Sequence, residues 1–152
     1  MVYNLIMKFL FVISFFTLVS CDAVIFFGDN SSEIINMGNK ETALESISHN
    51  IKYDFDKNIE FWQKPTETIG VGSGICIDSA ILALSAMTAI NEPCKLVWLK
   101  KGDMGHACIR IDGKLFDQQA NRFMDYESDG WRIVGEYSFT DAMKLLSMHR
   151  IK

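Results

Sequence analysis

The apolar positions divide the chain into an N-terminal apolar block, a helical middle and a strand-rich second half. Phe9 to Leu18 is an almost unbroken apolar run, with Lys8 before it and small residues after it up to Cys21. Ala23 to Asn39 is mixed in character and predicts a tether or irregular lead-in. Leu44, Ile47, Ile51 and Phe55 then recur at spacings of three and four, the mark of one face of an amphipathic helix starting near Glu41. Asn39 or Thr42 is placed to cap it. Trp62-Gln63-Lys64-Pro65 predicts a break, and Gly70 to Gly74 a glycine-rich turn. Cys76 to Asn91, rich in Ala, Leu, Ile and Met without internal Gly or Pro, predicts a helix buried on most faces and stopped by Asn91 and Pro93.

From Lys95 the periodicity changes. Lys95–Leu99, Met104–Ile111 and Lys114–Gln118 read as strands, the last two joined by Asp112-Gly113, a pair suited to the positive φ angles of a two-residue hairpin turn. Trp131–Tyr137 predicts a fourth strand. Ser138 or Thr140 would cap a last helix running through Met143, Leu146 and Ser147. Helices followed by a run of antiparallel strands is an α+β order. A doubly wound parallel sheet does not fit, because no strand alternates with a helix in this half.

With 152 residues the chain has room for one domain. The net charge of −4, with no basic run, points away from nucleic-acid binding. The N-terminal block has the layout of a secretory signal, and MKFLF from Met7 is a more usual signal opening than MVYNL. Leu18-Val19-Ser20-Cys21 resembles a bacterial lipobox, in which Cys21 would be lipidated and begin the mature chain. An uncleaved N-terminal anchor is the alternative. The expected division is a signal over residues 1–21, a tether over 22–40 and a domain over 41–152. The expected location is an exported, membrane-anchored lipoprotein, with Asp22 favouring the periplasmic face of the inner membrane.

With Cys21 assigned to lipid, Cys76, Cys94 and Cys108 remain, an odd number that leaves at least one free thiol. Cys76 follows the glycine-rich turn and opens a predicted helix, where the dipole and free N–H groups favour a thiolate and can serve an oxyanion. Cysteines are more commonly inert core residues, but the hairpin adds weight to the catalytic reading. A two-residue turn pairs Ile111 with Lys114, Cys108 with Asp117 and His106 with Gln119. His106, Cys108, Asp117 and Gln119 then share a face, with His106 and Asp117 as diagonal neighbours. A carboxylate there fixes the imidazole tautomer and stabilises its cation. A one-residue slip would undo the arrangement. His49 and His149 read as surface residues, and Trp98 and Trp131 as core or edge residues without a tie to the site. A zinc site is disfavoured, because Cys76, Cys94, His106 and Cys108 lack paired short spacings apart from His106-x-Cys108.

The stretch WQKPTETIGVGSGICIDSAI, Trp62 to Ile81, resembles the nucleophile region of bacterial transglutaminase-like cysteine proteinases. In register are Trp62, Gln63, Pro65, Glu67, Thr68, Gly72, Gly74, Cys76, Asp78, Ala80 and Ile81. Gly105-His106-Ala107 is similar to the family's histidine strand and Leu115-Phe116-Asp117 to its aspartate strand. The similarity covers about Tyr53 to Gln119. It implies a papain-like α+β fold, a nucleophile helix packed on an antiparallel sheet, and a Cys76–His106–Asp117 triad acting on an amide carbonyl. It also places Trp62, Gln63 and Gly74 at the substrate cleft, with core packing as the other reading of Trp62. Some relatives bind calcium beside the nucleophile. Here Ile75 and Ile77 stand where the family has acids and Asp78 alone is a poor site, so the calcium that the resemblance allows is disfavoured, and no cofactor and no metal are expected. Ser79 replaces the family's Tyr.

The expected function is a thiol-dependent hydrolase, a cysteine protease or amidase acting on envelope or cell-surface proteins. Transfer to an amine is a variant of the same chemistry. The alternative is a non-catalytic lipid-anchored binding or interference module that keeps the fold. A purely structural lipoprotein ranks last, since it leaves the three residues as coincidence. The expected partners are a protein or peptide substrate and, through the anchor, a membrane.

Overall fold

A computed structural model describes residues 38–150. The expected signal, the lipobox-like stretch with Cys21 and most of the expected tether lie outside the described residues. Among those described, no helix is long and apolar enough to cross a membrane.

Helix α1 spans Lys40–Asn50 and is closed at its start by a reciprocal capping box. The Asn39 side chain accepts from the Thr42 amide at 2.9 Å, and the Thr42 hydroxyl accepts from the Asn39 amide at 3.0 Å. Both expected capping residues therefore take part. Ala43, Leu44 and Ile47 bury the inner face. The helix stops before Phe55, which is 88% exposed and not on the apolar stripe that its spacing suggested. The chain instead turns extended at Ile51. Strand β1 (Lys52–Tyr53) pairs in parallel with β2 (Ser73–Gly74), and backbone bonds run from Lys52 to Gly72 and from Asp54 to Gly74, each 3.0 Å. That pairing outweighs continuation of the helix and brings Tyr53 beside the turn before Cys76.

The expected break at Trp62–Pro65 is a helix start as well as a break. Helix α2, Pro65–Val71, has proline at its first position, where no amide is needed. It ends on Gly72 with φ 71°, a left-handed cap suited to glycine. Helix α3, Cys76–Ala89, is the centre of the fold, buried without interruption from Ile77 to Met87. Asn91, with φ 60°, turns the chain out of it.

Strands β3 (Cys94–Lys101), β4 (Met104–Ile111), β5 (Lys114–Asp117), β6 (Arg122–Met124) and β7 (Arg132–Tyr137) form an antiparallel sheet in the order β6-β5-β4-β3-β7. Asp112 (φ 51°) and Gly113 (φ 74°) make the expected two-residue turn, and Ile111 pairs with Lys114 as predicted. β5 ends at Asp117, so Gln118 belongs to the next turn. β6 is three residues long and carries no alternation that the sequence would show. Helix α4, Phe139–His149, is capped by Ser138, whose hydroxyl accepts from the Asp141 amide at 3.2 Å.

Alternation along β3 and β4 sends side chains into two cores. Leu96, Ala107, Ile109, Ile111 and Phe116 meet α3 on one face. Val97, Leu99, Cys108 and Leu115 form the other, covered by Met124, Tyr126, Trp131 and Ile133. Cys94 packs with the first core and Cys108 with the second, so the two are separate thiols on opposite faces.

Candidate active site

Cys76 occupies the first position of α3, half-buried and free. By helix geometry the first amides of α3 have no partner four residues back; those of Asp78 and Ser79 bond to the Ile75 carbonyl at 3.1 and 3.2 Å. His106 on β4 and Asp117 on β5 meet across the hairpin, Nε2 to Oδ2 at 2.9 Å, with both side chains largely shielded from solvent. The second Asp117 oxygen accepts amides from Gln119 at 2.9 Å and Ala120 at 3.2 Å. Gln119 thus does not face His106 across an extended strand, because the chain curls back to hold Asp117 instead.

The imidazole is pulled in both directions. Burial lowers its proton affinity, but hydrogen bonds with Asp117 and Cys76 and the charges of both outweigh this and raise the pKa from 6.5 to about 9. For Asp117 burial acts upward and is overcome by the hydrogen bond and charge of His106 and by the two amides, which leaves the carboxyl below its usual range. The three residues singled out in the sequence are therefore brought into one electrostatic unit. Cys94 and Cys108 differ, since burial pushes each thiol up to about 12. At neutral pH both are inert neutral thiols.

Trp62, Gln63 and Gly74 gather under the start of α3. Trp62 is 5% exposed and lies between the rings of His149 (centroids 3.9 Å apart) and Trp98 (5.7 Å). Gln63 is buried. Its amide donates to Asp78 Oδ1 at 2.7 Å, and its side-chain oxygen accepts from the Thr68 hydroxyl at 3.2 Å. Gly74 leaves no room for a side chain, because a Cβ there would stand 2.8 Å from Asp78 Cβ.

Several site neighbours were not visible in the sequence. Trp131 tilts against the His106 ring, with centroids 5.8 Å apart, and so is tied to the site after all. Tyr53 lies close enough to Cys76 that burial and then a charge on Cys76 raise its hydroxyl pKa, and Phe55 packs on its ring at 4.6 Å. His149 is not a free surface residue but stacks on Trp62. Asp78, fully buried, accepts amides from Gln63 and Ile75 and forms an ion pair with Lys57. Arg150 bridges Glu67 and the Trp62 carbonyl. Among the described residues no three His, Cys, Asp or Glu side chains gather as metal ligands do.

Residues 30–130 match the family described as a transglutaminase-like domain, well over half of the chain. No curated protein matches it. Among solved structures it is similar to Legionella pneumophila LapG in an EGTA-treated form, at 16% identity and TM-score 0.55, over 65% of this chain and 62% of that one. A calcium-bound form of LapG gives 16% identity and TM-score 0.50, over 72% of this chain and 78% of that one. A candidate cysteine protease from Cytophaga hutchinsonii gives 18% identity and TM-score 0.50, over 76% of this chain but only 38% of that protein. The chain therefore spans less than two thirds of the EGTA-treated LapG chain and well under half of the Cytophaga protein. What these likenesses show is the fold, a papain-like α+β transglutaminase core.

Proposed function

The chain belongs to the transglutaminase-like domain family, and on that premise we propose that it is a cysteine peptidase or amidase using Cys76, His106 and Asp117. The observation that carries this reading is the single imidazole engaged by Asp117 through Nε2, with its proton affinity raised by both Asp117 and Cys76. With Nε2 committed to the carboxylate, Nδ1 is the nitrogen left for the thiol. His106 then holds the proton that Cys76 gives up, and Asp117 keeps the ring oriented and its cation stabilised.

In the proposed reaction the Cys76 sulfur attacks an amide carbonyl carbon. The developing oxyanion is met by backbone N–H groups at the start of α3. His106 delivers its proton to the leaving amine as the C–N bond breaks, which leaves a thioester on Cys76. Water, deprotonated by the now neutral imidazole, attacks the thioester and releases the acid with the free enzyme. An amine in place of water gives acyl transfer by the same steps.

The substrate in this proposal is a protein or peptide of the bacterial envelope. Export and lipidation at Cys21, suggested by the lipobox-like Leu18–Cys21, would hold the domain at the periplasmic face of the inner membrane. The test needs no substrate. The chain is alkylated from about pH 5 to about pH 9, and each cysteine is followed by mass spectrometry with and without His106→Ala. Fast labelling of Cys76 that slows in the variant is expected. Slow labelling, unchanged by His106→Ala, would sink the catalytic reading and leave a binding module on the same fold.

A further inference from the structure

Calcium is the cation that the calcium-bound LapG structure brings to this fold, and the residues at the nucleophile turn do not fit it. Calcium takes six to eight oxygens, several of them carboxylate. Ile75 and Ile77 flank Cys76 and offer no side-chain oxygen. Asp78 does have a carboxylate, but both its oxygens are engaged. Oδ1 accepts the Gln63 amide at 2.7 Å, and Oδ2 accepts the Ile75 amide at 2.8 Å and faces the Lys57 ammonium. The Asp78 side chain is 0% exposed and that of Lys57 9%.

We infer that the Lys57 ammonium is the built-in cation of this site, which pins Asp78 and through it the turn that carries Cys76, so that the domain is assembled and reactive without calcium. A buried carboxylate with no counter-charge takes up a proton and becomes a poorer acceptor. Here that would loosen two amides at once. Gln63 leads into α2, and Ile75 is the residue immediately before Cys76. Gly74 sits against Asp78 with no space for a Cβ, so a shift of the carboxylate is passed directly to the turn. Lys57 comes from the segment between β1 and α2, 21 residues before Asp78, and closes that segment over the turn. Lys57 is thus a positioning residue, acting on Cys76 through Asp78 and Ile75.

The consequence for reactivity rests on Cys76 being the reactive thiol, as proposed above, whereas independence from calcium does not. The full chain is therefore examined in two ways. Its thermal midpoint and its Cys76 alkylation rate are measured with millimolar calcium and with EGTA, and neither is expected to change. A midpoint raised by calcium, or heat of calcium binding in calorimetry, overturns the inference whatever Cys76 does.

The second arm is the series Lys57→Met and Lys57→Arg, with folding checked by circular dichroism. Lys57→Met is expected to slow Cys76 alkylation about tenfold at neutral pH, since a buried anion is left unpaired, and Lys57→Arg to restore most of it. A folded Lys57→Met chain that labels at the wild-type rate overturns the positioning role. If Lys57→Met does not fold, Lys57→Met with Asp78→Asn removes both charges. Slowed labelling in that pair supports the role and wild-type labelling overturns it. The catalytic reading fails separately, through His106→Ala, which leaves the calcium comparison intact.

Discussion

His106 Nε2 and Asp117 Oδ2 stand 2.9 Å apart on two strands joined by a two-residue turn. The hairpin that makes this contact is among the most local structures in the fold, so base and orienting acid arrive together. Asp117→Asn is expected to keep the hairpin and lose the cation's partner. Because Asp117 and Cys76 both raise the His106 pKa, following the ring protons by NMR should show titration near pH 9 in the wild type and a lower midpoint in Asp117→Asn and in Cys76→Ala. An unchanged midpoint in both variants would mean that the three residues are not coupled.

The same shift makes folding stability depend on pH. A His that binds its proton more tightly when folded adds stability that is complete below its unfolded pKa and is lost as pH rises through the folded value. With 6.5 raised to about 9, the loss runs across roughly that window. Taken alone the shift is worth at most about 3 kcal/mol, and less where residual exposure screens it. Asp117, held below its ordinary 3.8, adds stability above that value and loses it as pH falls. Urea midpoints should therefore decline from pH 7 to about 9.5, and His106→Ala should flatten the decline.

Gly74→Ala should destabilise the domain by about 2 kcal/mol through overpacking. The new methyl would meet Asp78 Cβ at 2.8 Å and Oδ2 at 2.9 Å, atoms that cannot swing aside without breaking the bonds to Gln63 and Ile75. Gly70→Ala is the control, since its Cβ meets nothing within 4 Å. Equal urea midpoints for the two variants would contradict this packing.

Much of this site could be read along the chain, for physical reasons that differ between residues. Asp112-Gly113 sets a register by turn chemistry alone, and that register put His106 beside Asp117. Helix α3 announced itself by composition and by its stop at Asn91. Where the expectation missed, a distant partner decided the outcome. Phe55 has helical spacing, yet the strand pairing of Lys52 with Ser73 ends α1 first. Trp131 reaches His106 only because the β6–β7 connection folds over one face of the sheet. Lys57 has no periodicity or motif, and its role exists only once the chain has brought it to Asp78. Helix α2, seven residues long, is too short for a hydrophobic stripe to show.

Tyr53, whose hydroxyl feels the charge of Cys76, forms an exposed aromatic pair with Phe55, the two 41% and 88% accessible. Aromatic surface beside a thiol suits an apolar side chain of a bound peptide. Once a cleaved peptide is in hand, Phe55→Ala should raise KM by about tenfold, as expected for losing one apolar contact, and leave kcat within about twofold. A fall in kcat without a change in KM would mean that the pair shapes the site instead of binding substrate.

The last prediction concerns α4, which lies beyond the residues matched to the family and still braces the segment leading to the nucleophile. Its final turn places His149 on the Trp62 ring at 3.9 Å. Just past it, Arg150 donates to the Trp62 carbonyl at 3.2 Å, forks onto Glu67 and lies over the Phe61 ring at 5.0 Å. Trp62 in turn precedes Gln63, whose amide holds Asp78. Arg150→Ala should cost about 1 kcal/mol, since its pair with Glu67 is partly open to solvent, and it should return the Glu67 carboxyl, which Arg150 holds low, toward its ordinary range. His149→Ala should cost more, about 2 kcal/mol, because it uncovers a buried indole. Hydrogen exchange of the Gln63 and Ile75 amides should quicken in His149→Ala, if the brace is transmitted to the turn. Protection unchanged at both amides would confine the role of α4 to covering Trp62.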